Sequence, residues 1–548
     1  MVKRSELITI ATIDEALEKT RKQPEPTTIA TIDEALEKTH YGKYNIQLII
    51  FSGLVLNNVI LESVGISFAL PVIACDLNLS YQEQGILGAV CFLGIIFSSH
   101  LWGFLADTKG RKETMRPALL LAFLLTLISS FSFNFIMMAI LRFLNGILIS
   151  AGSATIFAYL GEFHCQKNRN KAIMCAAFIS AFSAVFLPII AWLFINQEWE
   201  FDIPFLSIVY KPWRLYLIIC GVSGLVCCII LGYLPESPKY LMGLNKSDEV
   251  LDILKNMHRK NTKGNKNHKD ESFAITTILP DLDTPLRKKT MDDPKSFTSI
   301  LRLIWDQTAP LFMGQHIRKT CLAALIQFIT FFTAHGIYMW FPYILNNTML
   351  YTQQNEEPLC LCDILRFTQS SNFSSSNSLD DNQVENTCTT KLEISTYKHT
   401  ITLEVIYVSL MLCVLFASKK FNRTPILFVV LAASGVFGIL SMLIKIPVVA
   451  IYMIAIMLCS GVATSVMSAI VVDIYPTNLR AMAVCISLML GRIGSVSGSY
   501  IMGALIETHC ELAFYTSSCA LILAGCLGFL MPKTQDTKKQ INDINNNI

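Results

Sequence analysis

The chain has 548 residues, of which 53% are hydrophobic and 16% are charged, whereas soluble domains carry about 25% charged residues. This composition excludes an ordinary soluble protein, and the formal net charge of +3 gives no indication of a nucleic-acid partner. The apolar stretches 322–341 and 428–444 have about the 18-residue length that crosses a bilayer as a helix. The sequence therefore predicts an all-α, polytopic membrane protein that is embedded in a lipid bilayer.

The N-terminal tail, residues 1–45, is polar and lacks the short apolar core of a cleaved signal peptide, so we expect it to stay in the cytoplasm. The segment TIATIDEALEKT occurs in it twice, at 9–20 and at 28–39. Each copy predicts a short helix that opens with a capping box, formed in the second copy by Thr31 and Glu34. We interpret the repeat as a local duplication; the alternative is a docking helix for a cytoplasmic partner.

Twelve apolar segments, which we call spans 1 to 12, are predicted as transmembrane helices in two sets of six. They are expected near 46–74, 84–106, 115–134, 136–160, 171–195, 213–234, 320–345, 400–417, 425–444, 447–473, 479–505 and 511–531. The predicted organisation is a cytoplasmic tail 1–45, a first half 46–234, a cytoplasmic central loop 235–319, a second half 320–532 with an outer loop 346–398, and a cytoplasmic tail 533–548.

The distribution of basic residues predicts the orientation of these spans. Lysine and arginine are concentrated in the loops at 109–116, 167–169 and 419–423, and in the central loop. The loops at 75–83 and 132–135, which fall on the other side, contain neither residue. Because cytoplasmic loops are enriched in lysine and arginine, both termini are predicted to be cytoplasmic.

The outer loops contain residues that are typical of a non-cytoplasmic surface. Three asparagines stand in the acceptor pattern for N-glycosylation and are candidate sites: Asn78, Asn346 and Asn372. Three cysteines share the long outer loop: Cys360, Cys362 and Cys388. One pair of them is a candidate disulfide, although the sequence alone does not fix the connectivity.

The turn between spans 2 and 3 carries the strongest motif, GFLADTKGRK at 103–112. Gly110 permits a tight reversal, and we expect Gly103 to allow close approach of a neighbouring helix. Asp107, Arg111 and Lys112 supply opposite charges at the same turn. Such a cluster is predicted to lock the two halves together on the cytoplasmic side and to release them; the alternative is a turn that only sets topology.

Four motifs resemble signatures of the major facilitator superfamily. They are GFLADTKGRK at 103–112, RFLNG at 142–146, PESPKYL at 235–241 and YPTNLR at 475–480, and the resemblance covers about 45–532. It implies two six-helix halves that rock around a central cavity, and it places Arg142 and Glu236 among the residues that couple or gate this motion. Within that superfamily, the sequence is similar to the group of the synaptic vesicle glycoprotein 2 and related proteins, particularly its insect members.

An internal repetition agrees with this resemblance. Glu162 precedes Arg169 by seven residues after span 4, and Asp473 precedes Arg480 by seven residues after span 10. The spacing predicts that an acid at the end of one helix meets a base at the start of the next in both halves. The second half lacks the acid and the glycine of GFLADTKGRK in ASKKFNRTP at 417–425, which favours an asymmetric gate.

Ionisable residues within spans are costly in a bilayer and are therefore candidate functional residues. Asn58 and Glu62 lie four residues apart on one face of span 1, and we predict that they line the cavity; the alternative is a structural hydrogen bond. His335 and Tyr338 share a face of span 7 and are candidate substrate contacts; the alternative for the histidine is the hydrogen-bonded packing role that a lone membrane histidine more often has.

Arg492 of span 11 follows Arg480 by about 18 Å of helix, near the bilayer midplane. Gly491, Gly494 and Gly498 are expected to leave space around its guanidinium. Organic anion transporters resemble this stretch, which implies an anionic substrate at Arg492. The alternative is an ion pair between Arg492 and Glu62.

The resemblance therefore implies a monomeric secondary transporter of a small organic solute, in the plasma membrane or a vesicle membrane. We expect a cavity formed by spans 1, 4, 7 and 10 with Arg492 from span 11, and a proton is a candidate coupling ion. No catalytic constellation, metal-ligand spacing or cofactor motif is recognised, so an enzyme is not expected. Two alternatives stay open: a regulator of vesicle membranes without transport, and a proton-coupled sugar transporter in which Gln327 contacts the sugar.

Overall fold

The computed structural model describes residues 28–206, 208–263, 273, 275–279, 305, 309–354, 358–375, 392–475 and 477–531. Within these residues, twelve helical segments stand at the predicted spans, and eleven are long and apolar enough to cross a membrane. The remaining segment, span 3, has 19 residues and begins with the charged turn Arg111-Lys112-Glu113. The all-α class and the twelve-span architecture are thus confirmed.

The spans of the first half are Lys43–Asp76, Tyr81–Lys109, Arg111–Ser129, Phe135–Glu162, Gln166–Ile195 and Pro212–Tyr233. Those of the second half are Ile317–Gln354, Ile394–Lys420, Arg423–Leu443, Pro447–Ile474, Thr477–Thr508 and Cys510–Gly528. The shorter helices are α1 (Ile32–Lys38), α2 (Pro238–Gly243), α3 (Ser247–Thr262) and α4 (Leu361–Ser375). The strands are β1 (Thr28–Thr31), β2 (Phe201–Ile203), β3 (Ile208–Tyr210) and β4 (Ile275–Leu279).

Several spans differ from their predicted bounds, and the differences at spans 3 and 7 have identifiable reasons. Span 3 begins at Arg111 because Gly110 adopts a φ of 109°, which allows the chain to reverse at once. Span 7 continues to Gln354, past the predicted end at 345, because its last turns are buried. Met349 and Tyr351, for example, are 5% and 4% exposed. Part of the predicted outer loop is therefore helical.

Glycines set the closest helix crossings in both halves. A Cβ on Gly146 of span 4 would lie 2.1 Å from the carbonyl oxygen of Cys91 in span 2. In the second half, a Cβ on Gly494 of span 11 would lie 2.3 Å from the carbonyl oxygen of Phe328 in span 7. Small residues thus bring the backbones together. The expectation that the glycines near Arg492 leave space for its guanidinium is wrong. Gly494 and Gly498 fit against the backbone of span 7, and Gly491 fits against the ring of Phe331.

The bundle has two unlike ends, named here by what they carry. The basic end carries the turns at Gly110, Cys165 and Asn422, together with β1, α1, α2, α3 and β4. The loop end carries the hairpin of β2 and β3, which pair antiparallel, and α4. Consecutive spans alternate in direction between these ends.

The second copy of the repeated tail segment is folded and docked at the basic end. β1 pairs in parallel with β4, and α1 buries Ile32, Ala35 and Leu36 in the core of that end. The capping box is confirmed, since Thr31 N–H donates to Glu34 Oε2 over 2.9 Å and Thr31 Oγ1 accepts from Glu34 N–H. The first copy, 9–20, lies outside the described residues.

Asp33 of α1 joins the docked tail to the first half. Its carboxylate accepts a hydrogen bond from the Gln166 backbone N–H at the start of span 5 over 3.2 Å. It also lies 3.5 Å from Lys239 Nζ and 4.0 Å from Arg169 Nη2. The described tail copy is therefore held by its own chain through an apolar face and one carboxylate.

Candidate functional site

A cavity of about 360 Å³ lies between the two halves. Side chains from spans 1, 2, 5, 7, 8, 10 and 11 line it, and most of them are apolar. Spans 1, 7, 10 and 11 were predicted to contribute, whereas span 4 provides none of the described lining. The larger polar and charged side chains in the lining are His335, Tyr338, Glu404, Tyr407 and Arg492.

Arg492 reaches the cavity from span 11 and links the two halves. Its Nη1 donates to Ser99 Oγ of span 2 over 3.1 Å. The structure shows no ion pair between Arg492 and any carboxylate of the described residues. The close packing of spans 7 and 11 fixes the position of the helix that carries Arg492. Since Ser99 is the only described hydrogen-bond partner of the guanidinium, its other N–H donors are available to a solute in the cavity.

Glu404 of span 8 is a charged cavity residue that the sequence prediction missed. Its side chain is 6% exposed, and its Oε1 accepts a hydrogen bond from the Tyr338 hydroxyl over 2.8 Å. Tyr338 was predicted as a substrate contact, and it also orients this carboxylate. The signal was present in the sequence, because Glu404 interrupts an apolar run within span 8 and a buried acid is a functional candidate.

His335 forms part of an aromatic wall of the same cavity. Its ring stacks on Phe331 one turn earlier in span 7, with the ring centroids 4.7 Å apart. Phe92 of span 2 meets it edge-on, at 6.2 Å between centroids. The wall offers apolar ring faces and edges to a solute, and offset or edge-on contacts of this kind favour aromatic groups.

Asn58 and Glu62 do share a face of span 1, but that face points away from the cavity. Glu62 is 1% exposed and lies 3.3 Å from Arg142 Nη1, so the arginine of RFLNG is its ion-pair partner. The Thr126 hydroxyl contacts both carboxylate oxygens of Glu62 at 2.9 Å. The prediction that Glu62 lines the cavity and the alternative of a pair with Arg492 both differ from the structure, because spans 3 and 4 cover this face.

Asn58 lies deeper in the same interface, where it is 1% exposed. The Ser223 hydroxyl of span 6 donates to Asn58 Oδ1 over 2.7 Å. A Cβ on Gly224 would lie 3.0 Å from the same oxygen. Asn58 is therefore a packing and hydrogen-bonding residue within the first half, which was the alternative prediction for this helix face.

The GFLADTKGRK residues form a network at the basic end. Arg111 Nη2 lies 2.8 Å from Asp107 and 2.9 Å from Glu162 at the end of span 4. Glu236 accepts hydrogen bonds from the backbone N–H groups of Arg111 and Lys112, so its carboxylate caps span 3. The described partners in this network lie on spans 2, 3 and 4 or directly after span 6, and none of them belongs to the second half.

Two details of that network differ from the prediction. Glu162 pairs with Arg111 and not with Arg169, whose Nε donates to the Gly161 carbonyl instead. Gly103 does not mediate a close helix approach, since a Cβ on it would meet no described heavy atom within 4 Å. Lys112 Nζ donates to the Leu234 carbonyl over 2.7 Å and so ties span 3 to the end of span 6.

The second half repeats the ion pair. Arg423, at the turn between spans 8 and 9, contacts the carboxylate of Asp473 at the end of span 10. This pair corresponds in position to Arg111 and Glu162. Asp473 therefore pairs with the base of the preceding turn, and the side chain of Arg480 lies outside the described residues. The two halves share the acid–base pair although only the first carries the full motif.

Most described polar contacts between the halves lie at the loop end. The hydroxyls of Tyr81 and Tyr343 are 2.9 Å apart, and Ser499 Oγ donates to the Gly85 carbonyl over 3.2 Å. Asn196, after span 5, accepts from the Tyr397 hydroxyl over 3.0 Å. These contacts join the two halves at the loop end. Between described residues, no hydrogen bond or ion pair joins the halves at the basic end.

The predicted outer-loop sites have different surroundings. Asn78 is exposed in the turn after span 1. Asn346 is 2% exposed, and its Oδ1 accepts from the Glu393 backbone N–H over 2.8 Å, so this structure leaves no room for a glycan there. The backbone of Asn372 lies in α4, and its side chain lies outside the described residues.

The disulfide of the outer loop has a partner that the prediction did not consider. Cys362 of α4 is bonded to Cys510, the first residue of span 12. The bond attaches α4 to the loop end of the second half. Cys360 is free, Cys388 lies outside the described residues, and Cys75 after span 1 is also disulfide-bonded.

Comparison with known families and curated proteins gives consistent results. The family model described as Major Facilitator Superfamily matches residues 50–355 and 393–546. Synaptic vesicle glycoprotein 2B of Mus musculus is 26% identical over 315 residues, which are 55% of this chain and 45% of that protein. Synaptic vesicle glycoprotein 2A of Rattus norvegicus is 25% identical over 311 residues, 55% of this chain and 42% of that protein. The matches thus span less than half the length of these relatives.

Solved structures with the same fold include two transporters. The partially occluded, inward-open form of the xylose transporter XylE from E. coli has a TM-score of 0.58 and 15% identity, over 89% of this chain and 99% of that one. The nucleoside transporter NupG, as its D323A mutant, has a TM-score of 0.55 and 12% identity, over 90% and 100%. At these identities the likeness shows the fold alone.

Proposed function

The chain belongs to the Major Facilitator Superfamily, and from this premise we propose that it is a secondary transporter that moves a small organic solute by alternating access. The observation that carries the proposal is the cavity between the halves. Arg492 and Glu404 both reach into it, and neither forms an ion pair among the described residues. Charges that are kept in a bilayer without a partner are expected at solute pathways.

The contacts within and between the halves support a rocking motion. The network around Arg111 and the pair of Arg423 with Asp473 each hold one half together, so each half can move as a unit. The bonds at the loop end, such as Tyr81 to Tyr343, have to break for the cavity to open on that side. We propose that this structure is the state that is accessible from the basic end, and that a solute gradient or a coupled proton drives the exchange.

The proposed orientation follows from the basic loops, which favour a cytoplasmic basic end and cytoplasmic termini. The proposed organisation keeps the two halves, the central loop and the tails of the sequence prediction, with the chain acting as a monomer in the plasma membrane or a vesicle membrane. Of the solute, we propose that it carries an anionic group that meets Arg492, since the planar guanidinium suits a carboxylate.

The two alternatives are less well supported by the contacts. Gln327 is fully buried, with its Nε2 3.3 Å from the Thr464 carbonyl and from Ser468 Oγ, so it does not face the cavity as a sugar ligand. The regulatory alternative rested on a tail helix that is free to bind a partner. The described copy of that helix is docked on its own chain instead, through Asp33.

Uptake into vesicles that contain the purified full chain tests the proposal. A panel of organic anions, cations, zwitterions and sugars is offered under imposed proton and sodium gradients. We expect accumulation of solutes with an anionic group, and loss of that accumulation in Arg492→Ala when the variant is folded and inserted. Failure to accumulate any solute under every gradient would refute transport, and normal uptake by the variant would remove Arg492 from the site.

A further inference from the structure

An acidic and a basic side chain, Glu404 and Arg492, line the cavity without pairing with each other. Among the described residues, the only polar partner of the Arg492 side chain is the neutral hydroxyl of Ser99. Likewise, the only described polar partner of Glu404 is the hydroxyl of Tyr338. Arg492 and Glu404 do not form an ion pair with each other, although both line the same cavity. The same protein pairs other buried arginines with acids, as in Arg142 with Glu62 and Arg214 with Asp76.

A solute with a single charge would satisfy only one of these two groups. A monoanion at Arg492 would add a negative charge to an apolar cavity that already holds Glu404. A monocation at Glu404 would add a positive charge to a cavity that already holds Arg492. Burying a charge without a partner is unfavourable, and like charges in one site repel each other. A solute that carries both charges would neutralise both side chains at once.

The walls between these groups indicate the shape of the solute body. The ring of Phe331 stacks on His335, and Phe92 stands edge-on to the same histidine. Phe341 and Tyr407 also belong to the lining. A cavity of about 360 Å³ is near the lower end of the range for small-molecule sites, which is about 300–1,000 Å³. The lining therefore suits one aromatic ring with a short polar chain.

We propose that the solute of this cavity is an aromatic, amino-acid-like zwitterion. Its carboxylate contacts the free donors of Arg492, its ammonium group contacts Glu404, and its ring packs against the wall formed by Phe331, His335 and Phe92. The inference rests on the proposed function in taking this cavity as the substrate site. It adds the requirement for an ammonium group, which Arg492 alone would not impose.

Binding of matched compounds to the purified full chain tests this inference without a transport assay. Three trios are built on an α-, a β- and a γ-amino acid that carry the same phenyl group, so that the separation of the charges varies. Each trio contains the zwitterion, its primary amide, which lacks the negative charge, and its N-acetyl derivative, which lacks the positive charge. The readout is the ligand-induced rise in the melting temperature in detergent, which follows affinity.

We expect the zwitterion of at least one trio to bind at least about tenfold more tightly than both of its singly charged relatives, as for the loss of one charged contact. Glu404→Gln should remove the discrimination against the N-acetyl compound, and Arg492→Gln should remove the discrimination against the amide. Glu249→Gln, at an exposed acid of α3, is the matched control and should change neither preference.

Three results would overturn the inference: no zwitterion binds, a singly charged compound binds the unmodified chain as tightly, or the two variants do not change the preferences reciprocally. Equal binding of the N-acetyl compound would indicate that Glu404 is held neutral and that the solute is an anion. The outcome is separable from that of the proposed function. Selective binding without uptake would keep the inference and refute transport, whereas uptake of singly charged solutes alone would do the opposite.

Discussion

Replacing Arg142 tests whether the buried pair with Glu62 holds the first half together. Arg142 and Glu62 are 2% and 1% exposed, and the Thr126 hydroxyl also donates to the carboxylate. Arg142→Met would leave Glu62 buried without its positive partner. Removal of one member of a buried pair costs about 3–5 kcal/mol of unfolding free energy, whereas replacement of both members by apolar groups is often neutral.

The measurement is a double-mutant cycle of unfolding free energy in mixed detergent micelles. We expect Arg142→Met and Glu62→Leu each to lose about 3–5 kcal/mol, and the double variant to lose less than either single variant. The exposed pair of Lys246 and Glu249 is the control, since its side chains are 50% and 54% exposed and its loss should cost about 0–1 kcal/mol. Additive losses in the double variant, or losses no larger than in the control, would refute the reasoning.

Three further predictions concern the ends of the bundle. Gly110→Ala should lower the melting temperature and solute uptake, because residue 110 has a φ of 109° and a Cβ there would lie 2.5 Å from the carboxylate of Glu236. Gly103→Ala, whose Cβ would meet open space, is the matched control. Equal effects of the two variants would contradict this role of Gly110. Cys510→Ser should cost about 2–4 kcal/mol of unfolding free energy because it breaks the bond to Cys362. Cys519→Ser, at an exposed free cysteine of the same span, is the matched control, and an equal loss in both variants would contradict the prediction. Asp33→Asn should speed amide exchange in the docked tail helix, measured by mass spectrometry, without changing exchange in span 9; unchanged exchange in the tail helix would contradict its anchoring role.

The sequence predicted the twelve spans because a bilayer imposes a length and a composition on every crossing helix. It also predicted that Asn58 and Glu62 share a helix face, because that depends only on spacing. The direction of the face depends on how span 1 is rotated against spans 3, 4 and 6, which spacing does not encode. The prediction that Glu62 lines the cavity, and the alternative that it pairs with Arg492, therefore both differ from the structure, in which Glu62 pairs with Arg142.

Glu404 and the disulfide show two other limits of the sequence. Glu404 can be recognised in the sequence as an acid within an apolar run. Its place in the cavity, however, depends on Tyr338 of span 7 and on the other spans that line the cavity, and the local sequence does not encode these contacts. Cys362 pairs with a residue 148 positions away, and no local pattern indicates that contact. Three of the predicted cavity residues, His335, Tyr338 and Arg492, do line one cavity, since each faces the gap between the halves.

The central claim is that the two halves rock around the cavity, and reversible closure of the loop end tests it most directly. Tyr81 and Tyr343 face each other across the halves, with their hydroxyls 2.9 Å apart. A chain with cysteine at both positions is treated in vesicles with a short bifunctional reagent that links two thiols through reducible disulfides. Each single-cysteine variant serves as a control for the reaction of the native cysteines.

We predict that solute uptake by the double variant falls after cross-linking, that reduction restores it, and that the single variants keep their uptake. Peptide mass spectrometry confirms that the cross-link between spans 2 and 7 has formed. Undiminished uptake in a population that is shown to be cross-linked would contradict alternating access around this cavity.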